Sequence, residues 1–342
     1  MRRKPQAPAI DEARIAALLA PLATAKGLLL AVSGGPDSTA LLVMTALWAA
    51  GGGRPPVEVA TIDHGLRREA RAEAEAVGEH ARRRGLKHHI IAWRGPKPSS
   101  RIQELAREAR YRLLAERARE IGADHIVTAH HVDDQSETVL FRLLRGSGLS
   151  GLKGMAALTE RFGVFLARPL LGLSKAELLA YCAAQGETFV EDPANADPRF
   201  ARTRMRRLAA ALAEEGLGAS EIARLSRRAA RMEEAVASAT RAAAERLNSG
   251  RSNGVYDAKT LFGEPAEVTL RLLASEIARI GGSEPRRIRL EQIEAIGAAL
   301  EKSIARGEAF AATLAGASLQ LTPKGVLSIK KAPPRRRKSF NV

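Results

Sequence analysis

The stretch "AVSGGPDSTALLVM", Ala31 to Met44, leaves an apolar run through Ser33-Gly34-Gly35 and enters a helical pattern at Pro36 and Asp37. Its lead-in, Gly27-Leu28-Leu29-Leu30-Ala31-Val32, reads as a buried strand. Pro36 suits a first helical turn, where the missing N–H costs nothing. Gly34 and Gly35 permit unusual backbone angles and let another group approach the main chain closely. The free N–H groups and positive dipole end of such a helix form an anion site, most often for phosphate. A plain turn would need only the glycines. Ser33, Asp37 and Ser38 add two hydroxyls and a carboxylate at the same spot.

Outward from this stretch, apolar runs alternate with helical patterns. "VEVATI" (57–62) is a strand ending in Asp63-His64-Gly65, followed by a charged helix over about 68–84. "KHHIIAW" (87–93) is a strand, and a helix covers about 100–121. "DHIVTA" (124–129) is a strand again and runs into His130-His131-Val132-Asp133-Asp134. The alternation predicts an α/β fold with a doubly wound parallel sheet. Ligands of such sheets sit at the carboxyl ends of strands, where Ser33, Asp63 and His130 all fall.

Composition shifts after Arg207. Alanine-rich helices, further helices near 267–280 and 289–300, and a hairpin across Pro323-Lys324-Gly325 predict a smaller, mainly helical second domain. The expected organisation is an amphipathic N-terminal helix (1–26), a catalytic domain (27–210), a helical linker with a basic RNA-binding domain (211–335), and a basic tail (336–342).

A net charge of +16 over 342 residues favours an anionic partner, nucleic acid first. The arginines cluster, as in Arg202-Thr203-Arg204-Met205-Arg206-Arg207 and Arg335-Arg336-Arg337-Lys338, which a merely solubilising charge does not require. Aromatics are only 4%, so shape and phosphate contacts carry more of the binding than base stacking. A single cysteine, Cys182, excludes a disulfide framework, a Cys-rich zinc site and CxxC redox chemistry within the chain. The N-terminus does not read as a signal peptide and no apolar run approaches a membrane span, so the expected location is cytoplasmic.

The string SGGPDS lacks the Gly-Lys-Ser/Thr of a Walker A loop and is not G-x-G-x-x-G. It resembles the pyrophosphatase (PP) loop of enzymes that split ATP into AMP and pyrophosphate. The resemblance implies that Ser33, Gly34, Gly35, Pro36, Asp37 and Ser38 hold the pyrophosphate part of ATP. A carboxylate beside phosphates needs a cation, so Asp37 is either a Mg²⁺ ligand or a helix-start residue favoured by the dipole. Asp133, Asp134 and Glu137 share a helix start at i, i+4 and i, i+3 spacing. With His130 they could suit a transition metal, although oxygen ligands facing ATP favour Mg²⁺, and an acidic N-cap is the plainer reading. Arg142 and Arg145 repeat on that helix before the glycine-broken "RGSGLSGLKGM", which is a basic loop for a nucleic-acid substrate or a plain connector. His64 either touches adenine or ribose or caps its strand. Arg107, Arg110 and Arg112 read as a solvated helix face, and Arg168, before Pro169, as a phosphate or carboxylate contact.

"AHHVDDQSETVLFRLLRGSGLSGLKGM" (129–155) is more specific. Together with "DHGLR" (63–67), "AREARYRLL" (106–114), "RPLL" (168–171) and "EDPANADPRFARTRMR" (191–206), it resembles the tRNA(Ile)-lysidine synthetase family over about residues 28–207. The resemblance implies ATP and Mg²⁺, with L-lysine and the CAU-anticodon isoleucine tRNA as partners. The C2 oxygen of the wobble cytidine attacks the α-phosphate, pyrophosphate leaves, and the lysine ε-amine displaces AMP from C2. Asp37, Asp133, Asp134 and Arg168 are the expected catalytic group, with the three aspartates as metal ligands; Asp63 and His64 join the PP-loop at the nucleotide. Arg110, Tyr111, His131, Glu137, Arg142, Arg145, Arg202 and Arg206 are the expected substrate contacts. Thr203 stands where the family usually has asparagine. Members often carry a further C-terminal module, for all of which this chain looks too short. A tRNA thiolase with the same loop is the nearest competitor, but such relatives typically need several cysteines. A non-catalytic RNA-binding protein with a relic nucleotide site is the other, against which the intact SGGPDS and HHVDDQ segments speak.

Overall fold

Leu28, Leu29 and Leu30 are fully buried and alternate between two cores. Leu28 and Leu30 join one hydrophobic cluster, and Leu29 joins another on the opposite face of the sheet. A strand apolar on both faces belongs in the middle of a parallel sheet. The computed structural model describes residues 9–63, 65, 70–93, 102–190, 201–248, 254–283 and 288–333, without the side chains of 102–104, 106, 201, 202 and 248.

The elements of the first part of the chain are α1 (Glu12–Leu19), β1 (Leu28–Ala31), α2 (Pro36–Ala50), β2 (Val57–Asp63), α3 (Ala70–Arg82), β3 (Lys87–Ala92), α4 (Ile102–Glu120), β4 (His125–Val127) and α5 (Val132–Leu143). Then come the one-turn helix α6 (Leu149–Leu152), β5 (Leu158–Arg161), β6 (Val164–Ala167), α7 (Lys175–Ala184), α8 (Ala201–Glu214) and α9 (Ala219–Asn248). The sheet order is β3-β2-β1-β4-β6-β5. All pairs are parallel except β5–β6, an antiparallel hairpin on the edge that the sequence reading did not anticipate. Its turn places Phe162 and Gly163 at φ +54° and +74°, the left-handed pair that matches the twist of a two-residue hairpin.

Side chains from α1, α2, α3 and α7 cover one face of the sheet. On the other face, Tyr111, Leu114, Ala115 and Ala118 of α4 meet Leu29, Ala60 and Ile126. The N-terminal helix, expected as a segment of its own, is part of this body. Ile15 and Leu19 are buried in its core, and Arg14 pairs with Glu177 at 2.7 Å.

The chain divides into two units, residues 1–145 with 153–226, and residues 146–152 with 227–342. These compact units part at Ser226, whereas the sequence reading divides the chain at 210, and a short excursion at 146–152 groups with the second unit. That unit adds β7 (Val255–Asp257), α10 (Ala258–Phe262), α11 (Ala266–Gly281), α12 (Leu290–Arg306), β8 (Phe310–Leu314), β9 (Ala317–Leu321) and β10 (Val326–Lys331). It is helix-rich but also holds a four-stranded antiparallel sheet, β7-β10-β9-β8. The hairpin expected at Pro323-Lys324-Gly325 joins β9 to β10. The basic tail expected at 336–342 lies outside the described residues.

His88, on β3, sits beneath α3. Its Nε2 lies 2.9 Å from Thr61 Oγ1, and a Cβ at Gly78 would come within 2.8 Å of its Nδ1. Burial, then the neighbouring His89 and Arg82, push its pKa down to about 4. A depressed histidine contributes stability above its unfolded pKa near 6.5, and that contribution is lost as pH falls toward 4. The slope is at most about 1.4 kcal/mol per pH unit, and solvent screening of a half-buried ring makes it smaller. His88→Gln should therefore flatten the fall in urea midpoint between pH 6.5 and 5. An equally steep fall in the variant would place the titration elsewhere.

Candidate active site

Two loops meet because β1 and β4 are neighbouring parallel strands. The segment Ser33–Ser38 follows β1, and His130–Asp134 follows β4. The strand order reverses between β1 and β4, which opens a crevice at their carboxyl ends.

The first loop is closed upon itself. Gly34 holds φ +87°, a conformation that side-chain-bearing residues rarely adopt. The Ser33 N–H donates to Ser38 Oγ at 3.2 Å, and Ser38 Oγ donates to the Gly35 carbonyl at 3.0 Å. The Val190 N–H donates to the Gly34 carbonyl at 2.9 Å. Helix α2 begins at Pro36 with Gly35 as its N-cap, and no side chain among the described residues caps it. An uncapped first turn with Asp37 beside it can receive an anion and the cation that accompanies it.

The second loop supplies a hub, His131, whose ring is only 6% exposed. Nε2 lies 3.4 Å from Asp37 Oδ2 and 3.4 Å from Asp134 Oδ2, while Nδ1 lies 3.3 Å from Asp133 Oδ2. Burial opposes its charge, but the adjacent Asp133, Asp37 and Asp134 override burial and hold its pKa up at about 10. At neutral pH it is an imidazolium among three carboxylates.

The three acids are not equivalent. Asp133 Oδ2 also accepts the Lys175 N–H at 2.9 Å, tying α5 to the start of α7. Asp134 Oδ2 accepts the His131 N–H at 3.2 Å and shares Nε2 with Asp37. Among the described residues, the buried Asp37 Oδ1 has no hydrogen-bond partner. An orphaned carboxylate oxygen beside an anion cradle fits Mg²⁺, which takes one or two carboxylates and completes its shell with phosphate oxygens and water. Among the described residues, no group of three His, Cys, Asp or Glu side chains is arranged to hold a metal ion. His130 turns instead to Thr128 Oγ1 at 2.8 Å.

Glu137, one turn beyond Asp133 on α5, is buried and accepts from Arg206 Nε of α8 at 2.8 Å. Burial alone would lower the Arg206 pKa; Glu137, then Asp134 and Asp37, raise it. Arg206 therefore faces the acidic group. Thr203, on the same helix, is buried.

The other expected site residues have partners of their own. Arg168 is buried after β6, where Nη1 donates to the Ala156 carbonyl at 2.7 Å and to Thr159 Oγ1 at 3.1 Å. Tyr111 is a core residue, 3% exposed, with the Arg107, Arg110 and Arg161 guanidiniums 5.3, 5.8 and 5.3 Å from its ring centre. It is a platform for cations, and Arg161 was not anticipated. Arg142 donates to the Gly154 carbonyl at 2.8 Å, and Arg145 lies 4.1 Å over Phe141. Asp63 accepts the Gly65 N–H at 2.9 Å, a turn within its own loop. His64, the Arg202 side chain and residues 191–200 lie outside the described residues. His131 was expected as a substrate contact. Its position before an acidic helix start was the available signal for a central ion-pairing role.

A PP-loop domain model matches residues 8–212, including both loops. The tRNA(Ile)-lysidine synthase of Methylobacterium nodulans is 51% identical over 316 residues, 91% of this chain and 92% of that protein. The chain belongs to the tRNA(Ile)-lysidine synthase family. A second member, from a Bradyrhizobium strain, is 45% identical over 350 residues and 96% of each chain. This family is an ATP-using one, and the PP-loop accounts for that use. A solved U34-tRNA thiolase from Methanococcus maripaludis with its [4Fe-4S] cluster has a TM-score of 0.54 at 16% identity. It covers 64% of this chain and 76% of its own, and the likeness is one of fold.

Cys182 tests the thiolase alternative directly. Its thiol is fully buried on α7, 3.5 Å from the Pro36 carbonyl. Burial, then the charge of Asp37, push its pKa up to about 11, so it stays protonated. Cys182→Ala should retain turnover within about twofold and lose about 1 kcal/mol of stability from a small cavity. A large loss of turnover in a well-folded variant would revive sulfur transfer.

Proposed function

We propose that this chain is an ATP-dependent carbon–nitrogen ligase that joins L-lysine to C2 of the wobble cytidine in CAU-anticodon tRNA(Ile), releasing AMP and pyrophosphate. The observation that carries the reading is the convergence of the PP-loop with Asp37, His131 and Asp134 in the β1/β4 crevice. The uncapped start of α2 and the hydroxyl of Ser33 receive the triphosphate, while Ser38 holds the loop closed around it. Asp37 and Asp134 would hold Mg²⁺, which would supply neutralisation of phosphate charge. Asp133 keeps α5 and α7 in register. The cytidine C2 oxygen attacks the α-phosphorus as pyrophosphate leaves; the lysine ε-amine then attacks C2 and AMP departs. Arg206, anchored by Glu137, supplies a positive charge beside the reacting groups, so catalysis is mainly positioning and charge neutralisation. A free amine is the attacking form, so a carboxylate must accept its proton.

A cytidine is too small to identify one tRNA, so recognition needs contacts elsewhere. Exposed arginines of the second unit and of α9 supply them, and the tRNA substrate places the reaction in the cytoplasm. No described helix is long and apolar enough to cross a membrane. The decisive assay combines the protein with ATP, labelled lysine and unmodified tRNA. Label should enter the CAU-anticodon isoleucine tRNA, one AMP forming per lysine, and the methionine tRNA with the same anticodon should stay unlabelled. ATP consumption without lysine in the tRNA would overturn the reading.

A further inference from the structure

Gln135 stands between Asp134 and Glu137 on α5, yet it points at backbone. Its Nε2 donates to the Met155 carbonyl at 3.0 Å, and its Oε1 accepts the Met155 N–H at 2.7 Å. The two preceding carbonyls are taken as well. Arg142 Nη1 donates to that of Gly154 at 2.8 Å, and Ser226 Oγ donates to that of Lys153 at 2.8 Å. Three consecutive carbonyls are thus held by three side chains. Gln135 and Ser226, at the two ends, are 8% and 1% exposed. The fit is tight: a Cβ on Gly154, which holds φ +66°, would lie 2.7 Å from the Gln135 amide.

The location of this clamp gives it meaning. The chain passes between its two units after Arg145, after Leu152 and after Ser226. Lys153 is the residue at which it re-enters the first unit, and Ser226 is the last before it leaves. Ser226 holds Lys153, and Gln135 Nε2, which donates to the Met155 carbonyl and lies 3.5 Å from Ser226 Oγ, joins both to α5, the helix that carries Asp134 and Glu137. A network in which every buried polar group is satisfied is rigid, because breaking one bond leaves another group unpaired.

We propose that Gln135 is a positioning residue that locks the acidic helix to two of the three chain crossings, so that tRNA binding and ATP binding are energetically linked through it. The inference rests on the ligase reading above. Occupancy of the second unit constrains the chain at 153 and 226, and the clamp passes that constraint to α5. Linkage is reciprocal: tRNA tightens ATP by the factor with which ATP tightens tRNA.

The test measures dissociation constants of the α,β-methylene analogue of ATP, which cannot release pyrophosphate and stands in for ATP, with and without saturating unmodified tRNA, for the wild type, Gln135→Ala, Ser226→Ala and Gly154→Ala. Wild type should show linkage of at least about fivefold, the lower end of ordinary coupling. The variants should keep their ATP affinity without tRNA and their tRNA affinity without ATP within about twofold, while the linkage falls below about twofold. Thermal melting identifies variants that fail to fold, and Ser226→Ala, which removes one hydroxyl, is the mildest of the three. Undiminished linkage in folded variants, absent linkage in a wild type that binds both ligands, or an equal loss of ATP affinity without tRNA would overturn the proposal. A wild type that binds neither ligand would instead overturn the ligase reading.

Discussion

Asp37→Ala forms AMP and pyrophosphate at least about a thousandfold more slowly than wild type, the upper scale for removing a group that stabilises developing charge. The fold should hardly notice. Asp37 Oδ1 has no hydrogen-bond partner among the described residues, so its removal leaves no described buried donor unpaired except where His131 Nε2 loses one of two carboxylate neighbours. The melting temperature and tRNA affinity should therefore stay near wild type, whereas ATP affinity should lose its dependence on Mg²⁺. Asp37→Asn keeps the shape and should be almost as slow, because the charge is what acts. Asp134→Ala should resemble Asp37→Ala. Asp133→Ala should differ, slowing turnover less and lowering stability more, since that side chain caps the Lys175 N–H at the start of α7. Pyrophosphate release, thermal melting and filter binding on the same preparations separate these outcomes. Normal ATP turnover in Asp37→Ala would remove the metal role from this residue.

Reversal of four charges on α9 should have the second largest effect, on the RNA side. Arg224, Arg227, Arg228 and Arg231 are all exposed, and at 100° per residue they fall within an arc of about 100°. Exposed Leu225 and Met232 border the stripe. Such a stripe has the sign that a phosphate backbone attracts, and each neutralised phosphate releases counterions. With all four replaced by Glu, tRNA affinity at moderate salt should fall roughly a hundredfold or more, and the slope of log affinity against log salt should shrink by about three. ATP binding without tRNA should not change. An unaltered salt slope in the folded variant would mean that the stripe is only solvated surface.

Much of this protein could be read from the chain because the informative signals are local. Leu28-Leu29-Leu30 followed by Ser33-Gly34-Gly35-Pro36 encodes a buried strand, a left-handed residue and a helix start within a few residues. Propensity, burial and turn chemistry all agree there. The edge hairpin was harder to see. "LTERFGVFLA" has one polar strand, exposed along its length, and its pairing is decided by the free edge of a sheet rather than by its own pattern.

The sequence by itself determined the alternation of strands and helices, the anion-binding start of α2, the acidic start of α5 and the basic character of the surface. Each of these depends on residues adjacent in the chain or one helical turn apart. Tertiary structure alone decided how the similar polar side chains divide their work. Because β1 and β4 are parallel neighbours, Asp37 meets a histidine nearly a hundred residues away, and that histidine is His131 while His130 turns to Thr128. Of two adjacent aspartates, one faces Asp37 across the imidazolium and the other ties down a helix. Arg206 reaches the acidic group, whereas Arg168 and Arg142 hold backbone carbonyls. Residue type sets which bonds a side chain can make. Which partner lies within about 3 Å is fixed only when the elements are packed, since hydrogen bonds and ion pairs act over distances that chain spacing does not encode.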